Sequence, residues 1–193
     1  MGRYVCLLRG INVSGQRPIK MADLRDLCVS LGFGEVETYV QSGNVLFSTD
    51  RPPSKLAAMM TKAIGSKFGH DDVAVLALSA TELDAIVAAN PFIARGCDPS
   101  TLHVTFVHGS FAETALSKLG QDEYRPDELA CGDGVIYLHC PSGYGRTKLN
   151  NAFFERKLKR AATTRNWNTT LKLRNLAGGT AGATRSVRVR VGP

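Results

Sequence analysis

The first eighty residues alternate between apolar runs typical of strands and apolar positions at helical spacing. The mostly apolar run RYVCLLR (3–9) predicts a central strand. In KMADLRDLCVSLG (20–32), apolar residues from Leu24 to Leu31 recur at i, i+3, i+4 and i+7, which predicts a helix that stops at Gly32. In order, the pattern predicts strand 3–9, helix 20–32, a hairpin of strands 36–40 and 44–48, helix 52–69 and strand 73–78. This is the β-α-β-β-α-β order of a ferredoxin-like split β-α-β unit.

The second half contains two capping boxes, in which a serine and a glutamate three positions later bond the first N–H groups of a helix reciprocally. They predict helices that begin at Ser79–Glu82 and Ser110–Glu113. The other predicted elements are strand 102–107, two strands within 128–140, helix 149–158 and a last helix that starts within RNWNTT (165–170) and ends at Gly178–Gly179. From residue 102 the order is β-α-β-β-α, which leaves an internal structural repeat open.

These elements predict an α+β protein of two subdomains. We expect a ferredoxin-like N-terminal subdomain at residues 1–78 and a second β-α-β-β-α subdomain with basic C-terminal helices at 79–177. Residues 178–193 are small and basic, so we expect a flexible basic tail. A length of 193 residues is sufficient for two such subdomains that share a core.

Charge is distributed unevenly along the chain, whose formal net charge is +7. Residues 1–140 contain 12 basic and 16 acidic residues, whereas residues 141–193 contain 12 basic residues and one acid, Glu155. A cationic segment of this kind favours an anionic partner such as nucleic acid or a nucleotide. The alternative is a solvated helix face followed by a basic tail.

Several classes of protein are disfavoured by what the chain lacks. The N-terminal apolar run is interrupted by Arg9 and is shorter than the core of a signal peptide, and no stretch is long enough to span a bilayer, so we expect a cytoplasmic location and no membrane partner. The five cysteines form no C-x-x-C pair and no ligand spacing with the four histidines, so we expect no metal site and no cofactor. No catalytic motif is present, and the pattern leaves both a reaction and the oligomeric state open.

The loop Gly10–Gly15 follows a strand and precedes a helix, as a phosphate-binding loop does. Gln16 and Arg17 stand where a P-loop needs Lys and Ser or Thr, so nucleotide hydrolysis at this loop is excluded. Backbone N–H groups can still bind an anion here with help from Arg9, Asn12 and Arg17. The alternative is that both glycines only satisfy turn geometry.

The loop PSGYGRTK (141–148) combines two glycines, hydroxyl groups and two cations between a strand and a helix. Arg146 can bind a phosphate through two hydrogen bonds, and Lys148 supplies a point charge. Thr147 is expected to be the N-cap of the helix whether or not an anion binds. We therefore predict anion binding at Arg146, Thr147 and Lys148.

The segment TTRNWNTTLKLR (163–174) gathers hydrogen-bonding side chains around the one tryptophan. In a ligand site, Trp167 would stack on a base, Arg165 would bind a phosphate, and Asn166 and Asn168 would bond base edges or sugar oxygens. In a structural role, Asn166 or Asn168 would cap the last helix and Trp167 would pack in the core.

The hairpin turn Gln41-Ser42-Gly43-Asn44 poses the same choice. Gly43 supplies the positive φ that a tight turn needs, and Asn44 tolerates it. Turn chemistry does not demand Gln41, which can reach a ligand or bond a neighbouring backbone group. We include Gln41, Ser42 and Asn44 among the candidate ligand-binding residues.

The phrases LLRGINVSG, KMADLRDLCVSLGF, TYVQSGNVLF and TTRNWNT occur in an order and spacing that resemble the bacterial domain of unknown function 1697 family. The resemblance extends from about residue 3 to about residue 177 and implies a cytosolic protein with two α+β subdomains. It implies no reaction, because the family has none assigned. The family's signature positions correspond here to Arg9, Gly10, Asn12, Gly15, Gln41, Ser42, Gly43, Asn44 and residues 164–169. Ser14 stands where a glycine is common, and the tail after Gly179 lies outside the resemblance.

These patterns favour a non-catalytic protein that binds a phosphate-bearing ligand such as nucleic acid. Two other hypotheses remain open. One is an enzyme acting on a nucleotide-like small molecule, and the other is an interaction module whose polar clusters only cap and cross-link its two halves.

Overall fold

The computed structural model describes residues 1–13, 15–111, 116 and 121–178. Within these ranges the chain divides into two compact units. The first contains residues 1–84 and 173–178, and the second contains residues 85–172. The α+β class predicted from the hydrophobic pattern is confirmed, because helices accompany a four-stranded antiparallel sheet in each unit.

The first unit has the predicted order of strands and helices. Its elements are β1 (Gly2–Leu8), α1 (Met21–Ser30), β2 (Gly34–Tyr39), β3 (Asn44–Thr49), α2 (Pro53–Phe68) and β4 (Val75–Ser79), followed by the start of α3 (Ala80–Ala88). The strand order is β2-β3-β1-β4, and every neighbouring pair is antiparallel. Each of α1 and α2 therefore connects two strands that have an antiparallel strand between them. The finer ferredoxin-like assignment stays a prediction.

The core of the first unit forms because the apolar stripes of both helices face the sheet. The stripes place these buried side chains against the strands: Leu24, Leu27 and Cys28 of α1, and Leu56, Met60 and Ile64 of α2. Gly69 ends α2 in the left-handed conformation at φ 72°, and its N–H bonds the carbonyl oxygen of Gly65 at 2.8 Å. The capping box at the start of α3 is confirmed, since Ser79 Oγ accepts from the N–H of Glu82 and the Glu82 carboxylate accepts from the N–H of Ser79.

The second unit contains a strand that the hydrophobic pattern did not predict. After α3, the described helices and strands are α4 (Pro91–Ala94), β5 (Leu102–Val107), β6 (Glu128–Gly132), β7 (Val135–His139), α5 (Asn151–Leu158), β8 (Ala162–Asn166) and α6 (Trp167–Leu176). The last residues of α6 belong to the first unit. The sheet order is β6-β7-β5-β8, again with antiparallel neighbours. With β8 in place, the strand order of this sheet matches that of the first, so the repeat left open by the sequence is present at the level of sheet topology.

Two predicted helices and the predicted tail differ in how they compare with the structure. Most of the helix predicted from Ser110 to Gly120, and the tail from residue 179, fall outside the described residues. The helix predicted to begin at Leu149 begins at Asn151 instead, because Asn150 is its N-cap and its Oδ1 accepts from the N–H of Phe153 at 3.0 Å.

Candidate functional site

The loop after β1 and the hairpin turn between β2 and β3 contact each other in the first unit. Asn12 Nδ2 donates to the carbonyl oxygen of Gln41 at 2.9 Å, and the N–H of Leu8 donates to the carbonyl oxygen of Gly43 at 2.8 Å. Two of the three polar clusters singled out in the sequence, Arg9–Asn12 and Gln41–Asn44, are thereby brought together. The third cluster, Thr164–Thr169, belongs to the second unit.

Asn12 holds the loop together through its side-chain amide. Besides its bond to Gln41, Nδ2 donates to the carbonyl oxygen of Ile19 at 2.9 Å, and Oδ1 accepts from the N–H of Ile19 at 2.8 Å. Asn12 also lies at φ 55°, a left-handed conformation that asparagine adopts more readily than most residues. These contacts assign Asn12 a structural role, and its ligand-binding role stays a prediction.

Replacing Asn12 by alanine is expected to lower the free energy of unfolding by about 2–3 kcal/mol, because three hydrogen bonds and a tolerated left-handed residue are lost together. Asn12→Asp is the matched control. It retains an acceptor for the N–H of Ile19 but removes both donated bonds. Urea denaturation followed by circular dichroism should show both variants to be less stable than the parent, because aspartate would set a carboxylate oxygen against the carbonyl oxygens of Ile19 and Gln41. Equal stability of all three proteins would contradict this account of the loop.

The other candidates of the first unit differ in exposure. Asn44 is fully buried and its Nδ2 donates to the carbonyl oxygen of Tyr39 and to Ser42 Oγ, each at 3.0 Å. Arg9 and Ser42 are half-buried, whereas Gln41 is exposed. Of these four, only Gln41 presents an exposed side chain, and ligand binding by each of them stays a prediction.

Arg17, which lies in the same loop, is paired with a carboxylate. Its Nε donates to Asp72 Oδ1 at 3.0 Å and its Nη2 to Asp72 Oδ2. This hydrogen-bonded pair raises the pKa of Arg17 and lowers that of Asp72 relative to their ordinary values. The charge of Arg17 is therefore compensated within the unit.

In the second unit, β8 and α6 turn the TTRNW segment towards the interior. Arg165 is 7% exposed, and its Nη1 donates to Thr163 Oγ1 at 2.7 Å and to the carbonyl oxygen of Thr164 at 3.0 Å. Burial lowers the pKa of the Arg165 guanidinium below its ordinary value, although it stays protonated at neutral pH. Trp167 is 3% exposed, which places its ring in the core and leaves little face for stacking on a base.

Asn166 caps the last helix, as one of the two sequence interpretations expected. Its Oδ1 accepts from the N–H of Thr169 at 2.7 Å, at the start of α6. Asn168 is exposed one residue beyond Trp167. The cap explains Asn166 structurally, and ligand binding by Arg165, Asn166, Trp167 and Asn168 stays a prediction.

The loop Pro141–Lys148 does not lead directly into a helix N-terminus. It forms a short 3-10 turn at Tyr144–Arg146, and α5 begins only at Asn151. The expectation that Thr147 is the N-cap is wrong, because Asn150 occupies that position; Thr147 is buried and its Oγ1 accepts from the N–H of Leu149 at 3.0 Å. A favourable helix dipole at this loop is consequently not part of the site.

Arg146 and Lys148 are exposed and line one cleft of about 280 Å³. Neither forms an ion pair within the part of the chain that the structure describes. The remaining walls of the cleft are formed by residues 123–127 and by Ser142. Two cations predicted from the sequence thus lie together at one concave surface.

The residues of the cleft that precede β6, at 123–127, were not predicted from the sequence. They contribute one cation, Arg125, and two carboxylates, Glu123 and Asp127. One oxygen of Asp127, Oδ1, is buried and has no hydrogen-bond partner among the described residues. No spacing rule identifies these residues in advance, since they precede β6 without a glycine-rich or periodic pattern.

Two further properties bear on function. Across residues 1–13, 15–111, 116 and 121–178, no three His, Cys, Asp or Glu side chains cluster in a way that could hold a metal ion. None of the helices in those ranges combines the length and the apolar character required to cross a bilayer.

Comparison with known proteins identifies the family and the fold. The family model described as "Protein of unknown function (DUF1697)" matches residues 1–137. A solved structure of the conserved bacterial protein SP0830 from Streptococcus pneumoniae has a TM-score of 0.71 to this chain, with 24% identity over 91% of this chain and 98% of that one. No curated protein matches the chain. At this identity, the similarity to SP0830 concerns the fold alone.

Proposed function

Because the chain belongs to the DUF1697 family, to which no activity is attached, we propose a function from the charges of the second unit. The protein binds a phosphate-bearing ligand, and specifically nucleic acid, through exposed cations between residues 146 and 160. The binding is non-catalytic. A cytoplasmic location is part of this proposal, because nucleic acid is present there.

The observation that carries the proposal is a difference in how cations are compensated. Six exposed cations make no ion pair within the described residues: Arg146, Lys148, Arg156, Lys157, Lys159 and Arg160. Elsewhere in the described part of the chain, Arg3, Arg17 and Arg95 are each bonded to a carboxylate, and exposed cations without an ion pair, such as Lys20 and Lys62, are more widely spaced in the sequence. Uncompensated cations close together in the sequence and in one compact unit produce the positive potential that attracts phosphate groups.

Four of these cations lie at or just after the C-terminal end of α5, and two of them lie near an aromatic ring. Arg156 Cζ and Lys157 Nζ each lie 5.9 Å from the centroid of Phe153, and Lys159 and Arg160 follow the end of the helix. Cations in a last turn also compensate the helix dipole, which accounts for part of this pattern locally. The dipole needs fewer than four charges, so the surplus is available to an anionic partner.

A single-stranded oligonucleotide is expected to bind with strong salt dependence. If the four cations at the end of α5 each neutralise one phosphate, the slope of log affinity against log salt is about −3, so affinity falls about 50-fold between 50 and 200 mM salt. Replacing Arg156, Lys157, Lys159 and Arg160 by glutamine should remove most of this slope. Fluorescence anisotropy of a labelled 20-nucleotide strand measures both quantities.

The matched control has the same change in net charge at a different place. It replaces Lys20, Arg25, Lys55 and Lys62, four exposed cations of the first unit, by glutamine. Affinity and slope should stay close to those of the parent. Equal losses in the two quadruple variants would show that only net charge matters, and absence of binding at 50 mM salt would refute the proposal.

A further inference from the structure

The cleft beside Arg146 differs from an open phosphate-binding surface in its size and in its charges. Its volume of about 280 Å³ lies just below the range for ligand pockets, about 300–1,000 Å³. A concave site of this size holds one small group or one nucleotide, and it is too small for a length of strand. An open surface can bind the backbone of a nucleic-acid strand, whereas a cleft of this kind can bind the end of such a strand or a free nucleotide.

The cations of the cleft favour a phosphate with more than one negative charge. Arg125, Arg146 and Lys148 line it, together with the carboxylates of Glu123 and Asp127. An internal phosphodiester carries one negative charge, whereas a terminal phosphate monoester carries about 1.5–2 near neutral pH. Arginine binds the free oxygens of a monoester through two parallel bonds, and Ser142 adds a hydroxyl group. Arg146 and Lys148, which make no ion pair among the described residues, therefore match a monoester better than an internal phosphate.

The carboxylate of Asp127 indicates what the rest of the ligand carries. Asp127 lines the cleft, and its buried Oδ1 lacks a hydrogen-bond partner among the described residues. An ionised carboxylate only accepts hydrogen bonds, and leaving a buried acceptor unpaired is unfavourable. Rotation of this half-buried carboxylate would present an oxygen to a sugar hydroxyl or a base amino group in the cleft. Inorganic phosphate at neutral pH would place negative charge near this carboxylate and offers few hydrogen-bond donors.

One aromatic residue that lines the cleft packs against the ring beside which two cations of α5 lie. The ring of Tyr124, which lines the cleft, packs edge-on against Phe153 with centroids 5.4 Å apart. Phe153 is the ring next to which Arg156 and Lys157 lie. The cleft and the basic end of α5 thus share the aromatic contact between Tyr124 and Phe153.

From these observations we infer that the cleft lined by Arg125, Asp127, Ser142, Arg146 and Lys148 binds a phosphate monoester attached to a sugar that bears hydrogen-bond donors. The inference rests on the proposed function and narrows it to a ligand class. Two sources share this chemistry, a free mononucleotide and the phosphorylated end of a strand. Arg146 and Lys148 bind the phosphate, and Asp127 accepts from the donors.

The test compares ligand ends in one assay. Fluorescence anisotropy measures the binding of three labelled 12-nucleotide strands of one sequence, which carry a 5′-phosphate, a 3′-phosphate or hydroxyl groups at both ends. In a second step, AMP, adenosine and inorganic phosphate compete with the labelled strand. A phosphorylated end is expected to tighten binding about tenfold, and AMP is expected to compete at least tenfold better than adenosine or inorganic phosphate.

Three variants assign the effect to residues. Arg146→Ala should remove the advantage of the phosphorylated end and of AMP, and Lys62→Gln on the first unit is the charge-matched control that should retain both. Asp127→Asn preserves the shape of the side chain but replaces one acceptor by donors. It should reduce the preference for AMP over inorganic phosphate about tenfold.

The possible outcomes separate the inference from the proposed function. Equal affinity for phosphorylated and hydroxyl-ended oligonucleotides, with no competition by AMP, overturns the inference. If every oligonucleotide still binds in a salt-dependent way, the proposed function is retained. Binding of AMP without an advantage for phosphorylated strands supports the inference with a free mononucleotide as the ligand. Binding of neither AMP nor any strand at 50 mM salt refutes both.

Discussion

Gly43→Ala is expected to lower the free energy of unfolding of the first unit by about 3 kcal/mol. Gly43 lies at φ 77°, and an added Cβ would come within 2.8 Å of both Leu8 Cβ and Ile11 Cγ1. A left-handed alanine costs about 1 kcal/mol, and overpacking a rigid interior costs about 1–3 kcal/mol more. Leu8 and Ile11 are buried and belong to β1 and its loop, so neither side chain can move aside freely.

Gly69→Ala is the matched control for this variant. Gly69 has nearly the same φ, 72°, but no atom lies within 4 Å of its added Cβ. It should therefore show the conformational cost without the steric one, about 1 kcal/mol. Urea denaturation should be followed by circular dichroism, because the single tryptophan lies in the second unit. If both variants lost the same stability, close packing between the hairpin and the loop after β1 would be disproved.

Arg165→Ala is expected to lower the free energy of unfolding by about 2–4 kcal/mol without weakening oligonucleotide binding. The substitution leaves a cavity beside β8 and removes two hydrogen bonds donated by a charged group. Because the guanidinium is buried and bonded to its own strand, it contributes to the sheet and little to the outer potential. Thermal denaturation measures the first effect, and anisotropy well below the melting temperature measures the second.

Arg160→Ala should show the opposite pair of results. Arg160 is exposed and follows the end of α5, so its loss should weaken oligonucleotide binding and leave the melting temperature unchanged. The two variants remove the same side chain from the same unit, which makes them a crossed pair. A loss of affinity in Arg165→Ala at unchanged stability would restore the ligand-binding role predicted for that residue.

Elements whose stability depends on neighbours in the chain were predicted well from the sequence. The apolar stripes of α1 and α2, the glycine that ends α2 and the capping box of α3 all depend on residues within a few positions of one another. The strand β8 was missed for the complementary reason. Its residues ATTRN show no apolar alternation, and pairing with β5, as in Val104 opposite Arg165, makes them a strand.

The candidate site likewise combines residues that the sequence predicted with residues that it did not. Arg146 and Lys148 could be selected from the sequence because cations are concentrated after residue 141 and a glycine-containing loop holds these two. Their partners across the cleft, Arg125 and Asp127, precede a different strand and carry no motif. Only the folded sheet brings those two segments to opposite walls of one cleft.

By itself, the sequence determined the α+β class, the order of elements in the first unit and the separation of a slightly acidic body from a strongly basic C-terminal segment. The tertiary structure alone decided which polar side chains face inward. Asn12 and Arg165 looked as available to a ligand as Gln41 and Arg146, yet the first two are engaged within the protein and the last two are exposed. The physical reason is that burial and hydrogen bonding depend on partners distant in sequence, such as Gln41 for Asn12, which no local pattern specifies.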